Sequence, residues 1–215
     1  MRRELQNIAS EIDNFVNEVQ QIKSVPDGDI GVNIKNKQIK EKEKQFKNYA
    51  DKMFESAENK LNKQAEKAQN KLKKMQGDNY QKRQYYYTKA NQELSNYKSP
   101  IDYLKDKKEI SNNQIELQEA RKVALSKAKA TDDGDYQRLK EIVVDTMGSD
   151  ELEARKELAK VKIKRKNLKG AVSSINFDLD QIKNGNVSSA KTSLIAFSET
   201  DNLEQKATKK ISETL

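Results

Sequence analysis

The sequence predicts an all-α protein, with long coiled-coil-like helices over about 1–130 followed by a bundle of short helices over about 131–215. Three observations carry that prediction. Leu5, Ile8, Ile12, Phe15, Val19 and Ile22 are spaced 3, 4, 3, 4, 3, the a/d pattern of a helix seated in an apolar seam. Hydrophobic residues make up 34% of the chain and charged residues 35%, against roughly 45–50% and 25% in an average globular protein. That composition fills a thin seam between helices rather than a thick core. Finally, there are two prolines in 215 residues, and no segment alternates apolar and polar residues as a half-buried strand does.

The first helix runs to about residue 23. The segment SVPDGDIGVN, residues 24–33, breaks it with Pro26, Gly28 and Gly31, because Pro-Asp-Gly is turn chemistry. A long helix follows over about 34–76. Ile39, Phe46, Ala50, Met53 and Ala57 keep heptad spacing, and Leu61, Ala65, Ala68, Leu72 and Met75 continue it after a 4-4 step. Such a step is a stutter. Alanine and methionine dominate this seam and bury little area, so it is expected to depend on partners.

Gly77-Asp78 ends or bends that helix. A third segment, 79–98, carries Tyr80, Tyr85, Tyr86, Tyr87, Leu94 and Tyr97. Ser99-Pro100 opens a fourth, since proline suits the first helical turn. It is expected to run from about 100 to 130 on a poor stripe of Leu104, Ile110, Leu117, Ala120, Ala124 and Ala128.

Thr131-Asp132-Asp133-Gly134 marks the change to short segments. Tyr136, Leu139, Val143 and Met147 form one stripe ended by Gly148. Asp150 with Glu153 resembles a capping box for a helix carrying Ala154, Leu158, Val161 and Leu168, ended at Gly170. Val172, Ile175, Leu179 and Ile182 form the next stripe, closed by Asn184-Gly185. Ser188 or Ser189 is placed to cap a helix bearing Leu194 and Phe197. Asp201 with Glu204 is placed to open a last one with Leu203, Ala207 and Ile211. The organisation expected is therefore an extended helical region, 1–130, and a short-helix bundle, 131–215.

Several classes of chemistry have no residues to carry them. The chain has no cysteine and no histidine, so thiolate or imidazole nucleophiles, Ser-His-Asp triads and Cys/His zinc sites are unavailable. No glycine-rich phosphate loop is present. Asp27/Asp29 and Asp132/Asp133/Asp135 superficially resemble calcium loops. In an EF-hand the glycine is sixth, which would make Lys23 or Lys129 the first ligand, so both read as aspartate-rich turns. Asp178 and Asp180 lie two apart on a helix and face different ways. No catalytic residue, cofactor or metal site is expected, and the chain reads as a non-enzyme.

The net charge of +8 is unevenly spread. Residues 35–74 hold 13 Lys and 6 acids, and residues 155–169 hold 8 basic residues and 1 acid, which leaves −6 for everything else. In RKELAKVKIKRKNLK, Arg155, Lys162, Lys166 and Lys169 fall along one helical face, while Lys160 and Lys164 flank the apolar stripe. Either these are solvated faces or they meet an anionic partner, with nucleic-acid phosphates preferred over lipid because the apolar face lacks aromatic residues. Lys60, Lys63, Lys67, Lys71, Lys73 and Lys74 repeat the pattern among acids that blunt it. The Tyr85-Tyr86-Tyr87 run, flanked by Lys82, Arg83 and Lys89, has base-stacking chemistry. Consecutive helical residues point about 100° apart, so it reads better as a place where several helices meet one.

The longest apolar run, Leu194-Ile195-Ala196-Phe197, is far short of the roughly 20 residues that span a membrane. The start, MRRELQNIASEIDNF, holds no continuous apolar stretch of a signal peptide. A cytoplasmic protein, or one packaged in a virion, is expected. The reading that follows is a self-associating helical assembly protein, as in a phage virion interior, near packaged nucleic acid. Its expected partners are further copies of itself, met through Leu5, Ile8, Ile12, Phe15, Val19 and Ile22, and other assembly proteins. Two alternatives stand beside it: a monomeric helical module that binds a protein partner, and a leaderless secreted surface protein.

Overall fold

The structure is a computed structural model. It describes residues 1–28, 31–77, 79–129, 133–199 and 201–215, with the side chains of 129, 133 and 134 left aside. Among the described residues it is helical without strands. The helices are α1 (Arg2–Ser24), α2 (Val32–Gln76), α3 (Tyr80–Leu94), α4 (Pro100–Ile110), α5 (Gln114–Lys129), α6 (Asp133–Asp145), α7 (Ser149–Lys183), α8 (Ser188–Ser198) and α9 (Leu203–Thr214). Among the described residues no helix is long and apolar enough to cross a membrane. Asp29, Asp78 and the Thr131-Asp132 part of the expected break lie outside the described residues.

The chain forms two compact units, Met1–Gln64 with Val161–Asp201, and Ala65–Lys160 with Asn202–Leu215. The boundary expected near residue 131 does not coincide with either. Both units are discontinuous in sequence, and α2 and α7 contribute residues to each.

In the first unit, α1 and α2 run antiparallel: rising residue numbers on α1 meet falling ones on α2. Glu4 pairs with Lys60, Phe15 stacks on Phe46 at 5.0 Å between ring centroids, and Glu18 pairs with Lys42 at 3.1 Å. α7 runs antiparallel to α2, with Glu58 against Arg165 at 3.2 Å and Glu43 against Lys183 at 3.5 Å. α8 lies on α1, where Lys191 pairs with Asp13. Leu5, Ile8, Ile12, Phe15 and Val19 are 0–2% exposed, and Ile22 is half-buried. This corrects the expectation that the stripe needs a second copy to cover it. One chain covers it, because Val161, Leu168, Ala171, Ile175, Leu179 and Ile182 of α7 and Ala190 and Leu194 of α8 are buried in the same unit. Burial of each large α1 side chain is worth about 1.5–3 kcal/mol before chain entropy is subtracted.

Gly170 differs from expectation in an informative way. It sits inside α7 rather than at a helix end, so two expected helices form one of 35 residues. A Cβ at Gly170 would lie 2.6 Å from Cε1 and Cζ of Phe197. The absent side chain is the space that the Phe197 ring of α8 occupies.

In the second unit α3 and α5 pair antiparallel. Arg83 binds Glu119 at 2.6 Å, and Lys89 binds Glu116 at 2.9 Å. The core holds Leu94, Tyr103, Leu104, Val123, Leu139, Val143 and Ile211 with interleaved alanines. The single helix expected over 100–130 is two. Ser111 is extended, and the Asn113 side-chain oxygen accepts from the backbone N–H groups of Ile115 and Glu116, starting α5 afresh. The Ser99-Pro100 start stands as expected: Ser99 Oγ accepts from Asp102 N at 3.1 Å, with Pro100 in the first turn. The other expected caps are used differently. Asp150 and Glu153 both meet Lys71, at 3.3 and 2.9 Å. Ser189 donates to Asp178. Asn202, at φ 57°, precedes α9.

Candidate anion-contact surface

The six basic residues singled out on α7 do not act as one surface. Arg155 donates Nε to Glu151 at 2.9 Å. Lys160 is bound by Glu157 at 2.8 Å and by Glu204. Burial alone would push the Lys160 ammonium down, and the two carboxylates outweigh it and hold it above its ordinary range. Both residues are already held by carboxylates within the second unit. Lys164 is half-buried, two residues and so about 200° around the helix from Lys162.

Lys162, Lys166 and Lys169 are different. They are exposed, belong to the first unit, and make no ion pair among the described residues. At 100° per residue they fall within an arc of about 60°, and at 1.5 Å rise they span about 10 Å of helix. Ser173 and Phe177 extend the same face within a total arc of about 80°. Phe177 is 87% exposed, the most exposed of the large apolar side chains described. Three cations and an aromatic ring thus share one solvent face, about 22 Å from end to end. Asp180 ends the positive stretch. It binds Lys183 at 2.9 Å, which holds its carboxyl below the usual range.

Phe177 was missed in the sequence, although a signal was there. It stands off the Val172, Ile175, Leu179, Ile182 stripe, where a buried phenylalanine would not be. The remaining motifs are divided between packing and solvent. Of the tyrosine run, Tyr86 is half-buried and its hydroxyl accepts from Asn113 Nδ2 at 2.8 Å, while Tyr85 and Tyr87 are 62% and 41% exposed. Lys60 and Lys71 of α2 are taken by Glu4 and by Asp150 with Glu153, whereas Lys63, Lys67, Lys73 and Lys74 are exposed. Asp27 binds Lys35 at 2.7 Å. Asp178 is buried and accepts from Ser174 and Ser189. The described residues bring no three Asp or Glu together as a metal site.

Compared with protein-family models, with curated proteins and with solved structures, the chain matches none of them.

Proposed function

We propose that this chain is a non-enzymatic helical structural protein that meets the phosphate backbone of nucleic acid through the outer face of α7. A packaged particle such as a phage virion interior is the setting we infer for it. The observation that carries the reading is the contrast along one helix: Arg155 and Lys160 are each held by a carboxylate of the same chain, while Lys162, Lys166 and Lys169 are exposed together without a carboxylate partner among the described residues. Phe177 on the same face adds an aromatic plane for base stacking where the nucleic acid is single-stranded. Self-association, in this reading, uses a surface other than the α1 stripe.

Fluorescence anisotropy with labelled single- and double-stranded DNA over a salt series tests it. Three phosphate contacts give a salt slope of about −2.7 on duplex, hence a loss of about 40-fold between 50 and 200 mM salt. Changing Lys162, Lys166 and Lys169 to Glu abolishes binding, and Phe177→Ala weakens the single-stranded complex more than the duplex one. Salt-independent binding, or binding untouched by the triple change, overturns the reading.

A second reading, a monomeric module for a protein partner, is supported by the coverage of the α1 stripe within one chain. It predicts a monomer by light scattering at low and high salt, and a one-to-one complex indifferent to the three lysines.

A further inference from the structure

The second unit contains a cleft of about 410 Å³, within the roughly 300–1,000 Å³ of small-ligand sites. Its lining includes the apolar side chains of Leu72, Met75, Leu125, Val143 and Met147. It also includes the basic side chains of Arg83, Arg121, Lys122 and Arg155. Two carboxylates stand among these cations, each shared by two of them. Glu119 accepts from Arg83 Nη1 at 2.6 Å and from Lys122 Nζ at 2.8 Å. Glu151 accepts from Arg121 Nη2 at 2.6 Å and from Arg155 Nε at 2.9 Å. Burial would raise the Glu151 pKa, but Arg121 and Arg155 outweigh it and keep the carboxylate ionised.

Four cations against two carboxylates leave two positive charges in a cleft that also has apolar lining. Leu215 also reaches the cleft, its carbonyl accepting from the Tyr136 hydroxyl at 3.3 Å. Arg121 is fixed, since it also donates to the Thr146 carbonyl at 3.0 Å. Lys122 is mostly exposed, and Arg155 uses only Nε on Glu151. These two have donors to spare for a ligand.

We propose that the cleft binds an amphipathic organic monoanion, with a carboxylate or sulfonate head on Lys122 and Arg155 and an apolar body against Leu125, Val143 and Met147. A polyanion fits poorly, because half of the cleft is apolar and offers phosphate no donors.

Isothermal titration calorimetry of the full chain tests it, with laurate below its micellar concentration and dodecylammonium as the matched cation. Laurate should bind saturably at one to one, with dodecylammonium weaker on the order of tenfold. Lys122→Gln and Arg155→Gln should each weaken laurate by about five- to tenfold, with helicity unchanged by circular dichroism. Because Arg155 supports a buried carboxylate, Lys122→Gln at the exposed rim carries the test if Arg155→Gln unfolds. No saturable heat, equal affinity for the two head groups, or a Lys122→Gln affinity equal to wild type overturns the proposal. The Lys162, Lys166, Lys169 triple change should leave laurate binding intact, so the nucleic-acid reading and this one fail separately.

Discussion

Gly170→Ala has an outcome whose sign depends on one distant ring. A glycine-to-alanine change inside a helix normally stabilises by about 0.8–1 kcal/mol. Here the added Cβ would lie 2.6 Å from Cε1 and Cζ of Phe197 and 3.2 Å from Cε2, whereas carbon atoms rest about 3.5–4 Å apart. The ring must therefore retreat by about 1 Å, and overpacking of this kind costs about 1–3 kcal/mol. The net expectation is destabilisation of about 1 kcal/mol, or about 2–4 °C in Tm for a chain of this size. Removing the ring removes the clash. In a Phe197→Ala background, Gly170→Ala should stabilise by about 1 kcal/mol. The two residues are thus coupled by about 2 kcal/mol, within the range seen for side chains in contact. Urea denaturation of wild type, both single variants and the double variant, followed by far-ultraviolet circular dichroism, closes the cycle. If Gly170→Ala stabilises both backgrounds equally, the ring does not rest on Gly170 and the account of α7 continuity is wrong.

Glu116 makes a pH prediction. Burial pushes its carboxyl up, but hydrogen bonds from Lys107, Lys89 and Ser111 outweigh this and bring it from an ordinary 4.5 down to about 2. Its folded pKa lies below its unfolded one, so its stabilisation is present above about 4.5 and is lost as the pH falls toward 2. The full linkage value of about 3 kcal/mol is cut by solvent screening to about 1–2 kcal/mol. Glu116→Gln should lower stability by that amount at neutral pH and flatten urea midpoints measured from pH 5 to 2. Equal pH dependence in the two proteins refutes it. Ile12→Ala, at a fully buried position, should cost about 2–5 kcal/mol without changing the mass measured by light scattering. A change of oligomeric state would return the α1 stripe to an intermolecular role.

Helix positions were legible where local chemistry decides them. The 3, 4 spacing on α1 and the Ser99-Pro100 start each act within a turn or two, and both appear as read. Gly170 was not legible, because the reason for a glycine there is a ring 27 residues later. The break before α5 was missed because an apolar stripe was followed across Ser111-Asn112-Asn113, where an asparagine cap is stronger than a weak alanine-rich stripe. The basic face was half legible. Spacing placed Arg155, Lys162, Lys166 and Lys169 together, and Glu151, one turn before Arg155 on α7, was there to be read as its partner, whereas the acid on Lys160, Glu204 of α9, is one that a helical projection of α7 does not contain. The cleft was invisible for the same reason, since Arg83, Lys122 and Arg155 come from three helices.

The discontinuity of the first unit has a consequence for how the chain is made. Within its unit α1 leaves the ribosome before the other helices, and α2 soon pairs along part of it. The α7 and α8 residues buried in that unit, from Val161 to Leu194, follow about 140–170 residues after Ile22. At a synthesis rate of about 5–20 residues per second this is a wait of roughly 10–30 s. Through that interval Leu5, Ile8 and Ile12 are an incompletely covered apolar ridge on a nascent chain. Slowed translation between α2 and α8 should therefore lower the soluble yield of the protein, even though the finished molecule buries the ridge completely.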